Sequence, residues 1–254
     1  MEFYPKNPVG KVIVVGGGIG GIQCAIDLAD TGFFVYLIEK SHSLGGTMAR
    51  LDKTFPTNDC STCIFSPKLV QAAGHVNIKV MPLSRILELN GSPGRFIAKI
   101  EKLPRYIDEE KCIACGKCAE KCPMKVPDPF NGELGTRKAA FLTFPQAVPL
   151  KYALDAEKCL YLTRRKCGIC KEICPAKAVE YDQKPEILQI SAGAVVISTG
   201  FELALTVNEG EFGYGRYKNV VTSLQYERML SATGPYDGHL LRPSDEKVPR
   251  KVAW

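Results

Sequence analysis

"KVIVVGGGIGGIQCAIDLADTGFFVYLIEK", residues 11–40, decides the fold. Lys11–Val15 is short and rich in β-branched residues, the pattern of a buried parallel strand. Gly16, Gly18 and Gly21 follow with the spacing G-x-G-x-x-G. The first glycine permits the turn, the second lets the backbone approach a pyrophosphate, and the third lets a helix pack close to the strand. Ala25, Leu28 and Ala29 continue an apolar helical face, and Gly32 is a C-terminal stop. The first turn of such a helix offers unpaired N–H groups and the positive end of its dipole to phosphates. The second strand ends at Glu39, placed to accept hydrogen bonds from a ribose hydroxyl, with Lys40 beside it as a further contact. A glycine fingerprint alone occurs in ordinary strand–helix turns; strand, helix, second strand and terminal acid together predict a dinucleotide site.

The next residues bear on which dinucleotide. "SHSLGG", residues 41–46, resembles the twin-glycine extension of FAD-binding proteins of the glutathione reductase type, with Gly45 and Gly46 just after the ribose acid. "AGAVVISTGF", residues 192–201, resembles the later strand of that group, which ends beside the flavin at Thr199 and Gly200. FAD is therefore expected rather than NAD. No second G-x-G-x-x-G occurs, and "GEFGYGRY" at 210–217 has the wrong spacing and no preceding strand, so it reads as a loop.

The chain has 254 residues, 45% apolar and 24% charged, ordinary values for a soluble protein able to bury a core. No apolar run approaches the ~20 residues needed to cross a bilayer. The N-terminus "MEFYPKNPVG" lacks the basic and apolar regions of a secretory signal, so a cytoplasmic protein is expected. Eleven cysteines in a reducing compartment point to metal or redox chemistry rather than to disulfides.

"KCIACGKCAEKCP", residues 111–123, sets Cys112, Cys115, Cys118 and Cys122 in the C-x2-C-x2-C-x3-C-P pattern of bacterial ferredoxins. "KCLYLTRRKCGICKEICP", residues 158–175, repeats it with Cys159, Cys167, Cys170 and Cys174, but with a seven-residue first spacer. The flanks repeat as well, "RYIDEEKC" against "KYALDAEKC", as a duplicated two-cluster fold requires. In that fold the fourth cysteine of each motif crosses to the other cluster. One 4Fe-4S cluster is then assigned to Cys112, Cys115, Cys118 and Cys174, the other to Cys159, Cys167, Cys170 and Cys122. Ala114 and Gly116 leave room for the inorganic core. Two zinc sites are the competing assignment, which triplets spaced by two with a distal Cys-Pro suit less well. The long connection 124–156 and the spacer with its basic "TRRK" run are read as peripheral loops; the run could also dock an acidic carrier. Two clusters and one FAD, each about −2, would offset the formal charge of +6, so no nucleic-acid partner is needed.

The expected architecture is α/β. Residues 1–104 and 185–254 form the two parts of a Rossmann-like FAD domain of glutathione/thioredoxin reductase type, and 105–184 an inserted α+β ferredoxin-like domain with two clusters. A flavin exchanges electrons in ones or twos and a cluster passes one, so the pairing implies conversion between them.

The run from Val15 to Leu69, the paired cluster motifs and "FPQAVPLKYALD" at 144–155 together resemble the A-type subunits of heterodisulfide reductase and their anaerobic relatives, and the resemblance covers nearly the whole chain. The resemblance implies an FAD that receives electron pairs and, in many members, bifurcates them, one electron to ferredoxin and the other toward a partner subunit. It implies an oligomeric complex, and FAD contacts at Gly16, Gly18, Gly21, Glu39, Gly45, Gly46, Thr199 and Gly200. Full members are longer, so a fragment or one half of a split subunit is expected, with "VPRKVAW" at 248–254 as the opening of another strand.

Cys60 and Cys63, in "TNDCSTCIFSPK" at 57–68, lie outside both cluster sets. Three readings stand: partial ligands of a third cluster shared with another chain, a redox-active C-x-x-C pair, or reduced cysteines packing the flavin pocket. Lys53 is either a cation facing the flavin ring or a surface lysine, and Cys24 is a small core residue. Two other functions compete with the leading one: a self-contained NAD(P)H–ferredoxin reductase, which lacks a second dinucleotide motif, and an iron–sulfur scaffold whose flavin site is empty.

Overall fold

The computed structural model describes residues 10–201 and 211–253. The N-terminal stretch read for a signal and the first glycine of "GEFGYGRY" lie outside the described residues. The first unit is β1 (Lys11–Val15), α1 (Ile19–Asp30) and β2 (Phe34–Ile38). A short hairpin of β3 (Lys53–Thr54) and β4 (Asp59–Cys60) then leads into α2 (Ser61–Gly74) and β5 (Ile78–Met81). Two longer strands follow, β6 (Ser84–Ser92) and β7 (Arg95–Lys102), joined by the turn residues Pro93 and Gly94.

The chain leaves β7 at Lys102 and returns directly opposite it at Glu186, the start of β12 (Glu186–Ala192). Between them lie α3 (Lys117–Glu120), β8 (Lys125–Pro127), β9 (Thr136–Lys138), β10 (Ala140–Phe141), β11 (Ala153–Leu154), α4 (Leu160–Arg164) and α5 (Ile169–Ile173). After β12 come β13 (Ala194–Ile197) and α6 (Ser223–Leu230).

Four parallel strands run β13-β1-β2-β5, and their alternating side chains build two separate cores. Val12, Val14, Val35 and Leu37 pack against Ile22 and Ile26 of α1 and Phe65 and Leu69 of α2. Ile13, Ile38 and Met81 face the antiparallel sheet β12-β7-β6 through Ala98, Ile100, Ile190 and Ala192. The result is a mixed α/β arrangement of helices, parallel sheet and antiparallel sheet. A third cluster, with Ile107, Leu154, Ala178, Val179 and Tyr181, lies within the excursion and includes Cys112, Cys118, Cys122, Cys170 and Cys174.

Two expectations are corrected. The connection 124–156 is not peripheral: Phe144 and Ala147 are buried in the core beneath α1 and α2, with Phe130, Leu142 and Val148 packed against them. Leu44 N–H also donates to the Val148 carbonyl at 2.8 Å. Its proline and aromatic content builds a strap across the first unit, with Phe130 stacked on Phe144 at 5.2 Å. Residues 248–253 form no strand.

Candidate functional site

The glycine turn sits where β1, β2 and β13 end. Gly16 takes φ +110°, and a Cβ there would overlap the Ser198 carbonyl just beyond β13. A Cβ on Gly21 would overlap the Gly16 carbonyl oxygen, so its small size serves helix-on-turn packing. Gly18 differs: its φ of −78° suits any residue, and a Cβ would meet nothing closer than Gly46 Cα at 3.9 Å. The protein's own packing does not demand glycine there, and the open space fits a ligand backbone at close approach. No side chain caps α1 and its first turn carries no acid, so its N–H groups stay free for an anion.

Gly45 and Gly46 lie over this turn, with Gly45 N–H donating to the Gly17 carbonyl at 2.8 Å. Thr199 and Gly200 are exposed just past β13, so residues from both ends of the chain converge here. Glu39 is buried and already accepts two backbone hydrogen bonds, from Gly17 N–H at 2.6 Å and Ser41 N–H at 2.8 Å. It therefore pins the turn to the loop after β2, a role its position at the strand end did not reveal. Lys40 is exposed. Gly17 was missed: a Cβ there would lie 2.5 Å from Leu44 Cδ2 and 2.9 Å from Glu39 Oε2. The triple glycine was the visible signal.

The eight motif cysteines form two sets. One small cavity is lined by Cys112, Cys115, Cys118 and Cys174. A second is lined by Cys122, Cys159, Cys167 and Cys170. Each holds three cysteines of one motif and the fourth of the other. The two motifs are built alike. Asp108 Oδ1 accepts the N–H groups of Glu110 and Lys111, as Asp155 Oδ1 accepts those of Glu157 and Lys158. Asp108 N–H donates to Ala178 O and Asp155 N–H to Ala139 O, so the residues that open each motif pair with those that follow the other. Ala114 and Gly116 in the first loop, and Cys167 and Gly168 in the second, have positive φ.

The linings are apolar, and burial acts on the acidity of two of the thiols. It pushes the Cys118 thiol up to about 12, with the neighbouring thiols Cys170, Cys112 and Cys115 adding to it. Burial likewise raises Cys170, opposed by its 3.0 Å contact with the Tyr181 hydroxyl. Such thiols are costly to ionise alone, and binding metal supplies the opposing charge. Lysine Nζ atoms reach the backbone beside both cavities, Lys151 to Cys112 O at 2.6 Å and Lys138 to Cys122 O at 2.7 Å. These lysines and Tyr181 were not anticipated, since their partners are distant in sequence. Among the described residues, no three His, Cys, Asp or Glu side chains gather as they would around one ion.

Cys60 and Cys63 stand apart from both cavities. Cys60 caps α2, its Sγ accepting Cys63 N–H at 3.3 Å, and it pairs across the hairpin with Lys53. Cys63 and Lys53 are exposed and Cys60 partly so; the expected burial in a pocket does not occur. Cys24 packs, half-buried, against the core.

Between the two regions, Arg105 is buried and ties them together. It donates to Glu109 at 2.7 Å, to the Lys151 carbonyl at 3.3 Å and to the His42 carbonyl at 2.5 Å.

A family model described as FAD dependent oxidoreductase matches residues 11–59, and one described as 4Fe-4S binding domain matches 105–128. Together they support FAD and at least one 4Fe-4S cluster. The chain is 46% identical over 244 residues to the A-type subunit of the H(2):CoB-CoM heterodisulfide,ferredoxin reductase of Methanothermobacter marburgensis, covering 96% of this chain and 36% of that protein. It is 48% identical over 254 residues to an A-type iron–sulfur subunit of the CoB–CoM heterodisulfide reductase of Methanopyrus kandleri, covering 100% and 38%. The A-type subunit of the Ferredoxin:CoB-CoM heterodisulfide reductase of Methanosarcina mazei is 39% identical over 245 residues, covering 96% and 30%. The chain thus spans between 30% and 38% of the length of these relatives. Over the segment that it spans, the chain belongs to the family of A-type heterodisulfide reductase subunits, which are oxidoreductase components.

Proposed function

We propose that this chain is the FAD- and iron–sulfur-carrying electron-transfer part of a heterodisulfide-reductase-like complex. It works in the cytoplasm with other subunits, and bifurcates electron pairs toward ferredoxin and a partner subunit. The arrangement proposed is a Rossmann-like FAD domain, residues 1–104 and 185–254, interrupted by a two-cluster ferredoxin-like domain at 105–184. When bound, FAD exchanges electrons singly or in pairs and each 4Fe-4S cluster passes one, so the pair converts one mode into the other.

The observation that carries this reading is the division of eight cysteines between two cavities, each with the fourth ligand supplied by the other motif. Cys112, Cys115, Cys118 and Cys174 would hold one cluster, and Cys159, Cys167, Cys170 and Cys122 the other. Lys151 and Lys138 place positive charge at the backbone beside the cavities and so favour electron acceptance there. At the turn, Gly18 and the free N–H groups at the start of α1 would receive the pyrophosphate, with Gly45, Gly46, Thr199 and Gly200 around it. Glu39 would hold the ribose with the acceptor capacity left after its two backbone bonds.

Iron, acid-labile sulfide and FAD per chain, measured after anaerobic purification, test the proposal. About eight irons and one FAD are expected. Gly18→Val should abolish flavin absorbance while leaving iron unchanged; loss of both together would refute two independent sites.

A further inference from the structure

We propose that the long spacer of the second cysteine motif holds Tyr181 as a hydrogen-bond donor to Cys170 Sγ, and that this donor makes the site of Cys159, Cys167, Cys170 and Cys122 the stronger electron acceptor of the two. On the two-cluster reading above, electrons shared between the sites then settle on the second.

The spacer, residues 160–166, stands where the first motif has only residues 113–114. It folds as α4, with Cys159 as its N-cap, the Thr163 hydroxyl donating to Cys159 O at 2.8 Å and Arg165 closing it at φ +53°. The helix lays Tyr161 on Tyr181, with ring centroids 3.8 Å apart and planes 22° from parallel. Tyr181 is thereby held in place, 5% exposed, with its hydroxyl 3.0 Å from Cys170 Sγ. Cations lie over both rings, Arg165 over Tyr161 at 5.5 Å and Lys171 over Tyr181 at 5.7 Å. Lys171 draws electron density from the Tyr181 ring and so strengthens its O–H as a donor.

A free thiol and a phenol can each donate to the other. A cysteine sulfur that binds metal has given up its proton, so in the loaded site Tyr181 donates and Cys170 accepts. Such a bond stabilises the more negative, reduced state of the site more than the oxidised one, and burial strengthens it. One electron enters the site and no proton moves; Tyr181 keeps its own.

The first site has no equivalent. Among the described residues the hydrogen bond to one of its sulfurs comes from a backbone N–H, Ala178 to Cys174 Sγ at 3.3 Å, and Tyr152 lines the cavity without bonding a sulfur. Charge acts in the same sense. Between its first and last cysteines the second motif carries Arg164, Arg165, Lys166 and Lys171 against Glu172, and the first carries Lys117 and Lys121 against Glu120.

Potentiometric titration of the anaerobically purified chain, followed by paramagnetic resonance, tests this. Two midpoints are expected, the higher one retained in Cys115→Ser, which keeps only the second site. Tyr181→Phe preserves the ring and its stack and removes the hydroxyl alone. Its iron content should hold, and the higher midpoint should fall by about threefold to tenfold in reduction constant, roughly 30–60 mV for one electron, with the lower midpoint unmoved. A ring-fluorinated tyrosine at position 181, a stronger donor of nearly the same shape, should move that midpoint up, a sign that loosened packing does not produce. Should Tyr181→Phe lose iron, the fluorinated protein decides. Tyr161→Phe keeps the stack and should move neither midpoint. A fall in the lower midpoint, equal falls in both or no change in either overturns the proposal, as does a higher midpoint that disappears in Cys115→Ser. A wild-type chain without iron overturns the two-cluster reading itself, and this proposal with it.

Discussion

Gly18 and Gly21 look alike in sequence and differ in what they do. A Cβ on Gly21 overlaps the Gly16 carbonyl oxygen, whereas one on Gly18 enters open space. Gly21→Ala should therefore destabilise the flavin-free protein by about 1–3 kcal/mol through overpacking, and Gly18→Ala should not; calorimetry on flavin-free protein separates them. The crossed assignment of cysteines is also a residue-scale claim. Cys174→Ser should remove the same four-iron set as Cys115→Ser, leaving the other set intact in iron analysis and paramagnetic resonance. His42 provides a pH test. Burial, then Arg105 and Arg137, lower it from 6.5 to about 4, with Asp155 opposing. The unfolded chain then binds the extra proton first as pH falls below 6.5, so stability should decrease by up to about 2 kcal/mol between pH 6.5 and 5. Urea unfolding at the two pH values measures this, and His42→Leu should flatten the slope.

At the scale of elements, α6 carries a signature that was legible and passed over. Thr222 and Gln225 form a capping box, the Thr222 side chain accepting Gln225 N–H and the Gln225 side chain accepting Thr222 N–H. What α6 packs on was not legible. Gln225 Nε2 donates to Gly132 O, and Arg228, buried at 1% exposure, donates to Asn131 Oδ1 at 2.9 Å and to Thr233 O at 2.8 Å. Arg228→Met leaves those buried acceptors unpaired, so a loss of about 2–3 kcal/mol is expected in chemical denaturation. The strap 128–148 follows the same logic. Its prolines and aromatic residues suggested a surface loop, because the surface it covers is assembled from residues far earlier in the chain.

For the whole molecule, the cores are separate while the connections are specific. The cluster-bearing region packs around its own cysteines, and the two cores flanking the parallel sheet contain none of the eight motif cysteines. Removing iron should raise amide hydrogen exchange in residues 107–123 and 152–181 well before β1, β2 and β5 are affected, as read by mass spectrometry. Arg105 and the Leu44–Val148 pairing join the first unit to the cysteine-bearing excursion.

The turn glycines, the terminal acid and the two cysteine motifs could be read from sequence because their geometry is local: spacing along one strand–turn–helix, or along one short loop, dictates it. The crossing of the fourth cysteines was an expectation drawn from the internal repeat, and the linings of the two cavities group the eight residues in the same way. Tertiary structure alone decided the rest. Whether a glycine is needed for packing or leaves space depends on Ser198 and Gly46, far along the chain. Whether a lysine serves a cluster loop depends on which carbonyl it reaches, and whether a proline-rich stretch is loop or strap depends on the surface it meets. Nor does C-x-x-C spacing reveal that Cys60 caps a helix opposite Lys53. Those relations join residues distant in sequence, and only packing brings them together.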